Sequence, residues 1–306
     1  MLFNSREFAV FFILFFGVYF ATRWLPAPRV CRRAVILAGS LIFFGAWYPP
    51  HLPVIVVMLL VNWLVVRGLD RLPQGSRTAR GLLIASLALN LGALGFFKYT
   101  AFFLDAGNEL LGWFGVEPML PIYRPMLMLG ISFVTFQIIA YNVDVYRQGR
   151  LDPEARDLIT YGSFITLFPQ LIAGPICRGR ELLHQVANPA RLNADNFYWG
   201  VLLFLWGLTK KVLISDRLVP YSALVFANPE GLHWAGNWLA IYCFAFQIYC
   251  DFSGYTDIAR GAARTLAPMV IQGATGTFAG NATVYNNDSN FTIWSGRRLT
   301  EITGSF

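Results

Sequence analysis

Gly130-Ile-Ser-Phe-Val-Thr-Phe-Gln-Ile-Ile-Ala-Tyr-Asn-Val-Asp-Val-Tyr-Arg147 is apolar enough to be buried along its length, yet it carries Gln137, Tyr141 and Asp144. Spacings of i, i+4 and i+7 place these three on one face of a helix. An amide and a carboxyl are costly at membrane depth, so that face should look inward. Two roles fit it: a hydrogen-bonded seam between helices, or a surface lining a substrate path.

The rest of the chain identifies the solvent. Hydrophobic residues make up 56% of the sequence, aromatics 16% and charged residues 13%. Soluble domains lie nearer about 45–50% apolar and about 25% charged. The net charge of +7 would suggest nucleic acid in a soluble protein. Here the arginines fall in short loops between apolar runs, and no basic–aromatic module appears, which excludes nucleic acid as a partner. Phe8 to Tyr19 is followed by far more positive charge (Arg23, Arg29, Arg32, Arg33) than the single Arg6 that precedes it, so it reads as a retained first anchor and not a cleaved leader.

Apolar runs of about 20 residues predict membrane spans at 7–23, 34–49, 52–66, 81–98, 125–146, 197–215 and 234–250, the last running on through 251–262. The stretch 157–177 is apolar but ends in Ala173-Gly174-Pro175. It is expected to be re-entrant or half-buried. The stretches 23–33, 67–80 and 147–156 are rich in arginine and the intervening loops are not. The positive-inside rule then puts those stretches in the cytoplasm and the N-terminus outside. Trp24, Trp47, Tyr48, Trp113, Tyr123 and Trp234 sit near span ends, as an interfacial belt would. Cys31, Cys177, Cys243 and Cys250 have no CxxC spacing, so neither a zinc site nor a redox pair is indicated.

Three further clusters carry polar groups into these runs. In Phe168-Pro-Gln-Leu-Ile-Ala-Gly-Pro-Ile-Cys-Arg178, the breaks at Gly174 and Pro175 free backbone groups that only protein or a wet cavity could satisfy. Gln170 and Arg178 are candidates to line that cavity. In Gly207-Leu-Thr-Lys-Lys-Val212, Lys210 and Lys211 close an apolar helix. They would either snorkel to headgroups or hold a phosphate-bearing acyl donor. In Gln247-Ile-Tyr-Cys-Asp-Phe-Ser-Gly-Tyr-Thr-Asp-Ile-Ala-Arg260, Gln247 and Asp251 form one i, i+4 line. Tyr249, Ser253 and Asp257 form another, which suits a core or cavity rather than lipid.

In this order, GISFVTFQIIAYNVDVYR, LFPQLIAGPICR, GLTKKV and IYCDFSGYTDIARGAAR resemble the bacterial membrane-bound O-acyltransferases, in particular their alginate O-acetylase branch, over residues 1–267. The resemblance implies an all-α polytopic fold, a ring of helices around a central funnel. It implies acyl transfer from a cytoplasmic donor, acetyl-CoA, to an exported polysaccharide such as alginate, directly or through a periplasmic acetyltransferase partner, in the bacterial inner membrane. It also implies an intramembrane histidine, within a Trp-His motif beyond DFSGY, whose near-neutral pKa suits a general base or proton relay. His51, His184 and His233 do not match that position. All three are expected in loops or at interfaces, so no catalytic residue is assigned and the chain is expected to be catalytically incomplete. No bound cofactor is expected, and no His/Cys/carboxylate cluster has metal-ligand spacing.

Residues 268–306 change character to Gly, Asn, Thr and Ser. They are read as an irregular polar tail foreign to the family, whether frameshifted, fused or disordered, with short strands near Thr283 and Asn290 as the regular elements it could form. The candidate lining is thus Gln137, Asp144, Gln170, Gly174, Pro175, Arg178, Lys210, Lys211, Asp251, Ser253 and Asp257. A transporter or channel would also use intramembrane carboxylates and Gly-Pro breaks, and a non-catalytic scaffold would need no histidine.

Overall fold

The computed structural model describes residues 5–46, 48–115, 125–126, 128, 130–171, 177–188, 194–227 and 233–266, with strand residues at 285–287, 290–295 and 298–302. Its body is helical. In chain order the helices are α1 (Arg6–Ala21), α2 (Pro28–Gly45), α3 (Leu52–Arg71), α4 (Arg77–Trp113), α5 (Ile131–Gln148), α6 (Leu158–Thr166), α7 (Phe168–Leu171), α8 (Gly179–Ala187), α9 (Ala194–Thr209), α10 (Asp216–Ala227) and α11 (Trp234–Leu266). A π-helical segment, Lys210–Ser215, joins α9 to α10 without a break.

Four of these stretches are long and apolar enough to cross a membrane by length and composition: Arg6–Trp24, Pro49–Arg71, Arg77–Trp113 and Ala194–Ala223. The sequence pattern predicts seven. The other three are α2, α5 and α11. The first begins with arginines, and the other two carry the amides and carboxylates quoted above, which lowers their hydropathy. Two boundaries also differ. The fourth helix runs to Trp113 instead of ending near 98. The fifth starts at Ile131 instead of 125, because Gly130 is left-handed at φ 69°. A Cβ there would stand 2.5 Å from the Leu171 carbonyl oxygen, so the turn needs glycine on two counts.

An aromatic core joins the first two helices to the broken segment. Phe168 is fully buried, with ring centroids 5.0 Å from Phe15, 5.4 Å from Phe11 and 5.6 Å from Phe43. Phe8 and Phe12 stack on Phe204 of α9 at 6.3 and 5.9 Å. The helix breaks at Leu167, ahead of the expected break at Gly174-Pro175, which lies outside the described residues, and every residue from Thr160 to Leu171 is buried. The segment is therefore enclosed by protein, which is what its interrupted backbone requires.

A second joint, between α3, α4 and α5, is polar. Asn62 Oδ1 accepts from Asn90 Nδ2 (2.8 Å), Asn142 Nδ2 (2.9 Å) and Ser86 Oγ (3.1 Å), and Asn142 Nδ2 also donates to Ser86 Oγ (2.7 Å). All four residues are buried. This is the interhelical seam that one reading of α5 anticipates, carried by Asn142 and not by Gln137 or Asp144.

The three basic stretches meet at one end of the molecule. Arg33 pairs with Asp157 at 3.0 Å and Arg156 with Asp70 at 3.4 Å, while Gln74 Nε2 donates to the Arg147 carbonyl at 2.7 Å. They therefore share a side, as the alternating loops require. At the far end, His51 is buried in a 3₁₀ turn and packs edge-on against Phe97 at 5.5 Å. The loop role expected for His51 is corrected: it is a buried residue packed where α3 meets α4. Beyond α11, the described residues form an antiparallel sheet in the order β1 (Tyr285–Asn287), β2 (Asn290–Ser295), β3 (Arg298–Ile302). β1 and β2 fall on the two stretches, near Thr283 and Asn290, read as possible strands.

Replacing Asn62 with Leu removes the acceptor that three donors share, leaving Asn90 and Asn142 only their bonds to Ser86 and the Ser86 hydroxyl without its acceptor. Stability in detergent is expected to fall by about 1–3 kcal/mol, measured by equilibrium denaturation. An unchanged midpoint would show that the seam contributes nothing.

Candidate functional site

The densest polar cluster lies where α9, its π segment and α11 touch. The two helices run antiparallel with glycines at the contact. A Cβ on Gly207 would come within 2.6 Å of Gly254 O and Ile258 N, and one on Gly254 within 2.9 Å of Gly207 O. Backbones this close need small residues at the crossing. One turn further on, the π segment begins. Its wider turn advances each residue less around the axis, so two consecutive side chains can address one neighbour. Such segments are frequent at functional sites.

Lys210 and Lys211 are those two residues. Lys210 Nζ lies 2.6 Å from Asp257 Oδ2 and donates to Ser253 Oγ at 2.9 Å. Lys211 Nζ bridges Asp251 Oδ1 at 2.5 Å and Asp216 Oδ1 at 2.7 Å. Arg260 approaches Asp257 at 4.0 Å. The lysine side chains are only 16% and 14% exposed, and that of Asp257 13%. Aromatic faces complete the surroundings: Lys210 lies over Trp206 at 5.7 Å and Lys211 over Tyr255 at 5.2 Å.

This corrects the sequence expectation for the lysines. They do not close a helix, because the helical run continues through α10, and they sit near the middle of the Ala194–Ala223 span. They neither snorkel nor offer a free cationic patch for a phosphate-bearing donor. Three cations face three carboxylates, so the cluster is close to neutral. A single charged residue at a helix centre costs about 2.5–3.5 kcal/mol to insert, and pairing is the usual remedy.

The cluster thus gathers Lys210, Lys211, Asp251, Ser253 and Asp257, with Asp216 and Arg260 as further members. The sequence reading missed Asp216 because it was taken to lie beyond the span. The i+5 offset from Lys211 is a π-helical spacing, which no α-helical pattern would flag. Gln247 faces α10, where its Oε1 accepts from Ser222 Oγ at 2.6 Å. Tyr249, placed on the inward line by spacing, is 58% exposed and leaves it.

The other candidates lie elsewhere in the interior. Gln137 and Gln170 are buried, and Gln170 Nε2 donates to Phe164 O at 3.1 Å. Asp144 is half-buried and makes no ion pair among the described residues. Arg178 is exposed at the start of α8. Gly174 and Pro175 fall outside the described residues. His184 is exposed and 3.2 Å from Glu154 Oε1, but it sits in the last turn of α8 and not in a loop, whereas His233 lies exposed beside the first turn of α11. Among the described residues, no group of His, Cys, Asp and Glu is placed to hold a metal ion.

No family model matches the chain. It is 34% identical over 263 residues to the probable alginate O-acetylase AlgI of Pseudomonas aeruginosa, covering 85% of this chain and 48% of that protein. It is 33% identical over 262 residues to the corresponding protein of Azotobacter vinelandii, covering 85% and 50%. It is also 33% identical over 287 residues to the peptidoglycan O-acetyltransferase of Helicobacter pylori, covering 85% and 53%. The chain spans about half the length of the curated relatives it matches.

Removing Lys210 leaves Asp257 largely buried with only the more distant Arg260, at 4.0 Å, to offset it. Lys210→Met is therefore expected to cost more stability than the double variant Lys210→Met/Asp257→Asn, with a coupling of about 1–3 kcal/mol. Denaturation midpoints of the two singles and the double measure it. Additive effects would mean that the pair does not act as a unit.

Proposed function

Since the chain belongs with the AlgI-type membrane O-acyltransferases, we propose that it forms the membrane-embedded part of an enzyme that O-acetylates an exported polysaccharide. Acetyl would come from a cytoplasmic donor, acetyl-CoA, and pass to a polymer hydroxyl directly or through a periplasmic acetyltransferase. One observation carries this reading: the named relatives act on two unlike polymers, alginate and peptidoglycan. What their names share is acetyl transfer to a polysaccharide.

The paired charges suit that task as positioning groups. Lys210 and Lys211 tie α11 to the π segment through Asp257 and Asp251, which fixes the two helices at membrane depth. A path for a polar acyl carrier next to such a cluster would meet preoriented dipoles instead of lipid. The buried Gln137 and Gln170 support an interior with further polar groups, and a funnel around it remains part of the proposal. The arginine-rich end is assigned to the cytoplasm and the N-terminus to the outside. The region 1–267 is the membrane unit and 268–306 a separate one. The end of α11 at Leu266 and the change to strands beyond it support that division.

Disrupting the coding region in its own host is expected to abolish ester-linked acetate on one exported polysaccharide, read by base-labile acetate release. Restoring the gene with Lys210→Met is expected to recover roughly a tenth of the wild-type level or less, equivalent to about 1.4 kcal/mol of lost productive geometry. Unchanged acetate in every exported polymer of the disrupted strain would refute the assignment.

A further inference from the structure

The turn between α1 and α2 carries an excess of positive charge that nothing described in the structure offsets. Four arginines lie in or beside it. Arg33 is engaged, with Nη1 on Asp157 and on Thr160 Oγ1 at 2.9 Å. Arg23, Arg29 and Arg32 form no ion pair among the described residues. Arg23 and Arg29 are exposed, and Arg23 lies flat over the Trp24 ring at 4.4 Å. Arg32 is half-buried, its Nε is shut off from solvent without an acceptor, and its guanidinium lies 5.8 Å from the ring centre of Tyr19. Tyr19 is 1% exposed and its hydroxyl also lacks a partner.

The helix that follows deepens the imbalance. The first turn of α2 contains no acidic residue, and its N-cap, Ala27, makes no side-chain cap. Pro28 has no N–H, while the N–H groups of Arg29 and Val30 have no acceptor within the helix. The positive end of the helix dipole therefore coincides with three basic side chains, whereas acidic side chains or anions are what stabilise that end. The surroundings are apolar: Trp24, Leu25 and Val30 are 73%, 48% and 47% exposed. A surface with unpaired guanidinium groups beside exposed apolar side chains, at the end of a membrane span, fits the border between headgroups and acyl chains.

We propose that the α1–α2 turn binds the phosphate of an anionic phospholipid. Arg29 and Arg32 hold the phosphate oxygens, the free N–H groups at the start of α2 add neutral donors, and Trp24, Leu25 and Val30 lie along the acyl chains. This inference is independent of the acetyl-transfer reading, because it concerns how the first two helices seat in the bilayer.

The test uses the full chain in nanodiscs of phosphatidylcholine with increasing phosphatidylglycerol. Retained lipid is counted by native mass spectrometry and thermal stability is read alongside. Phosphatidylglycerol is expected to be retained preferentially and to raise Tm. Each arginine replaced by glutamine is expected to lower apparent affinity roughly fivefold, so Arg29→Gln/Arg32→Gln lowers it about twenty-five-fold. The control Arg147→Gln/Arg150→Gln alters exposed arginines of another basic stretch and is expected to keep affinity within about twofold. Equal retention of both lipids overturns the proposal. So does equal loss in the control, which would mean a diffuse charge effect. Millimolar inorganic phosphate alone raising Tm as far as phosphatidylglycerol would assign the site to a soluble anion and overturn the lipid.

Discussion

The close approach of α9 and α11 is the constraint on which the interior depends. Two glycine-bearing backbones meet, and because they meet, lysines on one helix reach carboxylates on the other. Any side chain larger than hydrogen at Gly207 or Gly254 would push the helices apart. Ion pairs of 2.5–2.7 Å would then open. The order of cause matters. A packing set by small residues brings together charges that would be costly alone at membrane depth and lets them pair.

The two other joints work on different chemistry. Around Phe168 the contacts are aromatic edges and faces. They hold α1, α2, α7 and α9 through dispersion and shape, without demanding a particular hydrogen-bond register. Between α3, α4 and α5 the asparagine cluster demands one, since the amides of Asn90 and Asn142 converge on Asn62 and Ser86 while the Asn62 amide answers to Asn90. The aromatic joint thus tolerates small sliding of helices, and the amide joint opposes it.

Much of this was legible in the sequence. Apolar length located the helices, and the spacing of Lys210, Lys211, Asp251, Ser253 and Asp257 marked side chains that the structure gathers. What escaped the sequence has physical reasons. An α-helical pattern hides Asp216, because the π segment shifts the register by one residue. Asn62, Ser86 and Asn90 are single polar residues in long apolar runs, and their partner Asn142 becomes meaningful only once three helices converge. His51 looked like a loop residue beside two prolines, yet those prolines begin a short turn that folds the ring inward onto Phe97. Tyr249 followed the same i+4 rule as Ser253 but points out. A spacing rule gives a line along a helix, not the width of the face that a neighbour covers.

The length of α4 has a mechanical consequence. Its 37 residues extend about 55 Å, against roughly 30 Å of hydrocarbon. The edge-on contact of Phe97 with His51 pins it partway along, leaving the stretch from Lys98 to Trp113 as an overhang. A rod held near its middle behaves as a lever. A small lean at the arginine-rich end becomes a displacement of comparable size at Trp113, in the opposite direction, and is transmitted by the helix backbone alone.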